Sequence, residues 1–160
     1  MDVFLQSVKD FFGNYMLMSA IVGWFGAQIC KVFTGMFKER KFDIITLFFS
    51  TGGMPSSHAA VVCGVATASI ILHGWASSLT AITLVIALIV MVDASGVRYE
   101  TGKQAEIINK MIKELFSHEK HPEEFNTNLK ELVGHTPFQV FVGAIFGIVC
   151  SVILAIFMVW

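Results

Sequence analysis

Charge is scarce in this chain. Asp, Glu, Lys and Arg make up 14% of its 160 residues, hydrophobic residues make up 55%, and the mean hydropathy is +0.70. A water-soluble domain carries roughly 25% charged residues, so this scarcity excludes an ordinary soluble globule and points to an integral membrane protein. The formal net charge of -1 leaves no broad basic face, which excludes nucleic acid as a partner. Cysteine is sparse as well: Cys30, Cys63 and Cys150 lie in apolar stretches without a CxxC pair, which speaks against a disulfide scaffold and for three buried, reduced thiols. Basic residues are also missing as a cluster ahead of the first apolar run, where Asp2, Lys9 and Asp10 stand. A cleaved signal peptide would carry such a cluster, so the first long helix is expected to stay in the protein.

Four apolar segments approach the roughly 20 residues that cross a bilayer: Tyr15 to Phe37, Pro55 to Leu72, Trp75 to Val92 and Phe138 to Trp160. They predict an all-α, single-domain membrane bundle over residues 1–160 with about four spans. Asp2 to Phe12 reads as an interfacial amphipathic segment, and Phe42 to Ser50 as a short re-entrant or interfacial piece. A polar insert from Ser95 to about Thr136 separates spans three and four. Ala105, Ile108, Met111, Ile112, Leu115 and Phe116 recur there at helical spacing opposite Glu106, Asn109, Lys110, Lys113 and Glu114, which predicts an amphipathic helix serving as a lid on the bundle or on lipid headgroups. Lys31, Lys38, Arg40 and Lys41 end span one, Arg98 and Lys103 follow span three, and the turn His73-Gly74-Trp75 is uncharged. By the excess of basic residues on cytoplasmic loops, that end of the bundle, with the amphipathic helix, is expected to be cytoplasmic in the cell membrane.

The chemistry gathers at the same end. Gly52-Gly53-Met54-Pro55-Ser56-Ser57-His58 places flexible backbone, two hydroxyls and an imidazole at a helix entrance. Pro55 suits a first helical turn, and the amides that follow would face an anion. Read alone, the stretch also fits a loop-to-helix junction capped by Ser56 or Ser57. Gly134-His135-Thr136-Pro137 opens span four in the same way, and Asp93-Ala94-Ser95-Gly96-Val97-Arg98 closes span three. Lys31 lies in the last third of a span, where a cation is costly without a partner, and Lys38 projects from the same helical face. Asp93 is either an ion-pair partner of Arg98 or Lys31 or a recruiter of a divalent cation. His118, Glu119, His121, Glu123 and Glu124 lack a metal-ligand frame and read as a solvated stretch. Gly143 and Gly147 form a small-xxx-small pair, suited to packing within the bundle or to a homodimer.

Thr51 to His58, Asp93 to Arg98 with Gly102-Lys103-Gln104-Ala105, and Glu131 to Pro137 together resemble the divergent family related to type 2 phosphatidic acid phosphatases and vanadium haloperoxidases, over most of the chain. The wider superfamily implies a lysine motif ending in Arg-Pro, a Pro-Ser-Gly-His motif, and a Ser-Arg motif followed by His and Asp. Here Lys31 matches the first, with Lys38 and Glu39 in place of the Arg and Pro. Pro55, Ser56 and His58 match the second, with Ser57 for Gly. Arg98 and His135 match the third across the whole insert, with Gln139 where the aspartate belongs. A neutral amide there can orient the histidine but lends it no charge, and Asp93 is the acid placed to substitute.

What the resemblance implies is a membrane phosphatase for a lipid phosphate monoester. His135 is the expected nucleophile, forming a phosphohistidine, and His58 the acid for the leaving alkoxide. Lys31, Ser56, Ser57, Arg98 and, more weakly, Lys38 are expected to hold the phosphoryl oxygens. Substrates of this class are phospholipid or isoprenoid phosphates, phosphatidylglycerol phosphate among them. No cofactor is required by this scheme. The alternative is a lipid- or anion-binding protein, or a lipid transporter, that kept the pocket without the reaction, and Gln139 favours it.

Overall fold

The computed structural model describes residues 2–39, 53–115, 129 and 134–160. Among them are six helices and no strand: α1 (Asp2–Gly13), α2 (Tyr15–Glu39), α3 (Ser57–His73), α4 (Ser78–Ser95), α5 (Val97–Leu115) and α6 (Pro137–Met158). This is the expected all-α bundle. Among the described residues three stretches are long and apolar enough to cross a membrane, in α2, in α4 with its continuation, and in α6, while α3 is apolar but shorter at 17 residues. The segment Phe42 to Ser50, residues Thr51 and Gly52, Arg40, Lys41 and the His118–Glu124 stretch lie outside the described residues, as does the side chain of Lys38.

Two boundaries differ from the sequence reading. The second apolar helix starts at Ser57 instead of Pro55, because Ser56 is its N-cap in an extended conformation (φ -68°, ψ 116°) and accepts from the Ala59 N–H at 3.4 Å. Pro55 therefore precedes the helix rather than opening its first turn. The third helix starts at Ser78, since Ser77 caps it by accepting from the Leu79 N–H, and it runs on to Ser95. Trp75 belongs to the exposed turn, whose Gly74 takes φ +73°, a conformation that favours glycine.

α3 lies at the centre, packed on α2, α4 and α6. Its buried positions are nearly all small: Ala59, Ala60, Gly64, Ala66, Ala68 and Ser69. Helices in lipid gain little from apolar burial and rely on close backbone approach, which this composition allows. A Cβ on Gly23 of α2 would lie 3.1 Å from the Ala60 carbonyl oxygen, and one on Gly64 would lie 3.2 Å from that of Ser19. On α6, Gly143 and Gly147 rest directly against the backbone carbonyls of Ser56 and Ala60. The small-xxx-small pair of α6 thus packs inside the bundle.

Hydroxyl groups knit the other end. The Tyr15 hydroxyl donates to the Ser151 carbonyl at 2.8 Å, with the Ser151 hydroxyl 3.0 Å away, and the Ser19 and Ser151 hydroxyls are 3.1 Å apart. Ser69 and Thr80 join α3 to α4 at 3.1 Å. These pairings join the start of α2 to the end of α6 and the end of α3 to the start of α4, so the helices alternate in direction. Consequently the late part of α2, the start of α3, the end of α4 and the entrance to α6 meet at one end of the bundle.

α5 leaves α4 after Gly96 alone and is amphipathic, as expected. Its buried face, however, is Gly102, Ala105 and Asn109. Ile108, Met111 and Leu115 are exposed, so among the described residues the apolar stripe does not lie on the bundle. Of the stripe, Ala105 is buried and Ile112 half-buried.

Candidate active site

His58, Asp93, Ala94, Arg98 and His135 line one pocket of about 230 Å³, together with Ile89 and Val90 of α4. Four of the sequence-predicted site residues thus converge, although they come from α3, α4, α5 and the residues just before α6. The rings of His58 and His135 have centroids 6.3 Å apart, tilted by 57°. That separation leaves room for a tetrahedral group between them.

His135 is placed by backbone. Its N–H donates to the Ala94 carbonyl at 3.1 Å, and the preceding Gly134 presses on the Arg98–Tyr99 peptide, where a Cβ would collide with the Tyr99 N–H and stand 2.5 Å from the Arg98 carbonyl carbon. The residue is only 3% exposed, and neither ring nitrogen has a hydrogen bond of good geometry within the protein. Burial drives its imidazole from the ordinary 6.5 down to about 4, and the Lys31 charge acts the same way; the Gln139 side chain and the Gly53 carbonyl act against them. At neutral pH the ring is therefore uncharged and keeps a lone pair. A buried imidazole with unmatched nitrogens beside a pocket is suited to meeting a ligand.

Asp93 and Arg98 form an ion pair, Nε to Oδ2 at 2.6 Å, with both side chains about half exposed. Of the two roles open to Asp93, ion pairing with Arg98 is the one seen, and the pair stays in the pocket wall. Lys31 is 6% exposed and donates to the Ser57 hydroxyl at 3.3 Å. Its aliphatic stem runs past Gly53, whose φ of +93° admits the tight approach of the loop. Thr34, one turn beyond Lys31, donates to the Met54 carbonyl at 2.9 Å and ties that loop to α2. Sequence reasoning missed Thr34; its i+3 spacing from Lys31 was the available signal.

Ser56 is differently placed from the expectation. It is fully buried under α6, its hydroxyl caps α3, and its N–H donates to the Gln139 carbonyl at 3.1 Å. It does not line the pocket, and neither do Lys31 and Ser57, which lie buried behind its wall. With the N–H groups of Ala59 and Ala60 also directed to Ser56, Ser57 and His58 supply the first-turn amides of α3 that remain for an anion.

Gln139 completes a capping box. Thr136 accepts from the Gln139 N–H at 3.3 Å, and the Gln139 side-chain carbonyl accepts from the Thr136 N–H at 3.0 Å. The position where the superfamily carries an acid is thus occupied by a residue that caps the start of α6 and, through its backbone carbonyl, ties the mouths of α3 and α6 together. Among the described residues no group of three or more His, Cys, Asp and Glu is arranged to hold a metal ion.

No solved structure matches the chain. It is 39% identical to an uncharacterized membrane protein, YuiD, of Bacillus subtilis (strain 168), over 90% of this chain and 96% of that protein. The model of the divergent PAP2 family matches residues 12–150, a span that contains every helix lining the pocket and both histidines. The chain belongs to the divergent PAP2 family.

Proposed function

We propose that the protein is a membrane-embedded phosphatase for lipid phosphate monoesters, with its site on the cytoplasmic side. The observation that carries this reading is the meeting of His58, His135, Asp93 and Arg98 around one pocket whose remaining wall is apolar. The His135 imidazole, neutral at pH 7, attacks phosphorus and forms an N–P bond while the ester P–O bond breaks. The leaving alkoxide takes its proton from His58. Water then attacks the phosphohistidine, His58 accepts the water proton, and inorganic phosphate departs from a regenerated His135. Arg98, Lys31, the Ser57 hydroxyl and the amides of Ser57 and His58 hold the phosphoryl oxygens, the kind of fixed donor set that supplies much of the barrier reduction. Lys38 and Ser56 are supporting members, Ser56 through the cap it gives α3. Asp93 orients Arg98 and is the acid nearest in role to the missing aspartate. Ile89 and Val90 suit an acyl or isoprenoid chain, and phosphatidylglycerol phosphate is a fitting test substrate.

The test is phosphate release from a panel of lipid phosphates by protein in vesicles. Loss of the general acid in His58→Ala is expected to lower kcat/KM by roughly 10²- to 10⁴-fold, and His135→Ala to abolish turnover. Unimpaired release in the histidine variants overturns the mechanism. A second reading, a lipid phosphate binder or transporter without chemistry, is favoured by the engagement of Gln139 in the capping box. It requires binding without release, and lipid movement across vesicles that survives His135→Ala.

A further inference from the structure

Asn109 stands apart from the rest of α5. It is a polar residue on the buried face of an otherwise exposed helix, 7% accessible. Its side-chain amide donates to the Leu129 carbonyl at 2.9 Å, and its side-chain carbonyl accepts from the Leu129 N–H at 3.1 Å. Such a reciprocal pair fixes both the position and the rotation of one residue's backbone, as a rung of a β-ladder does. Leu129 lies six positions before His135 on the chain that enters α6. At the other end of that short run, Gly134 presses on the Arg98–Tyr99 peptide of the same helix, and His135 donates its N–H to Ala94. The chain leading to His135 is thus gripped twice by α5 and once by α4.

We propose that Asn109 is a positioning residue for His135: α5 acts as a strut whose amide at one end and close glycine contact at the other hold the His135 backbone over the pocket. α5 then does more than present an amphipathic face. It sets the distance from His135 to His58, a distance that the superfamily spacing of Arg and His would otherwise fix through a short connection. The catalytic meaning rests on the phosphatase reading of His135, whereas the positioning itself does not.

The test uses the full chain in nanodiscs and needs no turnover. His135 is shielded, whereas His58 is exposed, so the rates at which diethyl pyrocarbonate modifies the two rings, resolved by peptide mass spectrometry, report the position of one with the other as internal reference. Asn109→Leu removes both hydrogen bonds and is expected to raise the His135 rate about tenfold, the opening that two net hydrogen bonds correspond to, with the His58 rate unchanged. Lys110→Ala, on the outer face of α5, is expected to leave both rates alone. Equal His135 rates in Asn109→Leu and the wild type overturn the proposal. Hydrogen exchange on the wild-type protein guards against a variant that fails to fold: the exposed Leu129 is expected to keep a protected amide, and exchange there at the free-peptide rate overturns the proposal equally. If lipid phosphates are hydrolysed, Asn109→Leu is expected to lower kcat with KM little changed. If they are not, the labelling result still stands or falls by itself.

Discussion

The approach of α6 to α3 invites a direct perturbation, Gly147→Ala. A Cβ at Gly147 would stand 2.8 Å from the Ala60 Cα and closer still to its carbonyl oxygen, whereas ordinary contact begins near 3.4 Å. The helices must therefore part by at least 0.6 Å, the difference between those distances. Neither partner is the flexible end of a side chain that could swing away. Overpacking of this kind costs about 1–3 kcal/mol, which for a chain of this size corresponds to a fall in Tm of roughly 2–12 °C, at 2–4 °C per kcal/mol. The three cysteines provide the assay, since Cys63 is buried and Cys30 and Cys150 are half-buried in the helices. A thiol-reactive fluorophore follows their release on heating in detergent. Gly13→Ala, with nothing within 4 Å of its added Cβ, is the control. If Gly147→Ala melts with the wild type while cross-linking shows a lost dimer, the glycine pair serves self-association and the packing argument fails.

His135 gives a pH dependence. In the fold it takes up a proton only near pH 4, against 6.5 ordinarily, so between those values the unfolded chain binds more protons. Stability is expected to fall as pH drops from 6.5 towards 4, and His135→Asn should flatten that part of a melting curve measured against pH. Lys31→Met is expected to leave Tm unchanged or raised, because a buried cation with one hydroxyl partner is costly to bury, while abolishing the rise in Tm that added vanadate is expected to give the wild type. A vanadate shift retained in the variant would remove Lys31 from the anion site. Tyr15→Phe loses the bonds to Ser151 at the opposite end; we expect a loss of about 1 kcal/mol in thermal unfolding and an intact vanadate shift. Asp93→Asn breaks an exposed ion pair worth about 0.2–1 kcal/mol, so Tm should hardly move while lipid phosphate turnover falls.

Much of the fold was legible because apolar runs near 20 residues have few alternatives to crossing a bilayer, and because Gly143 and Gly147 repeat at the spacing of one helical face. The convergence of His58, Asp93, Arg98 and His135 followed from the alternation of helix direction, which needs only the number of spans and the turn between them. What the sequence did not disclose were choices among equivalent groups. Ser56 and Ser57 are both credible caps; only the pressure of Gly143 on Ser56 decides that Ser56 is buried as the cap and Ser57 faces Lys31. Gln139 reads as a failed aspartate by alignment with a motif, yet Thr136 three residues earlier was a capping-box signal. The α5 stripe leaves its surroundings open, since periodicity reports which face is apolar but not what covers it. Asn109, on the polar face by pattern, lies buried and holds the Leu129 backbone through two hydrogen bonds.

The tight glycine contacts have a further consequence in depth. Lys31 grips Ser57 eight residues before the end of α2 at Glu39, and Gly143 meets Ser56 six residues after α6 begins at Pro137. At 1.5 Å per residue, the Lys31–Ser57 contact lies roughly 12 Å in from the end of α2 and the Gly143–Ser56 contact roughly 9 Å in from the start of α6, deeper in the bundle than His135, which precedes α6 at the pocket. An anion arriving there from solution must shed its hydration before it meets the donors, a penalty that grows with its charge. Under the phosphatase reading, a lipid-tethered phosphate would meet the imidazoles near the helix mouths first and exchange its water for Lys31 and Ser57 only deeper in.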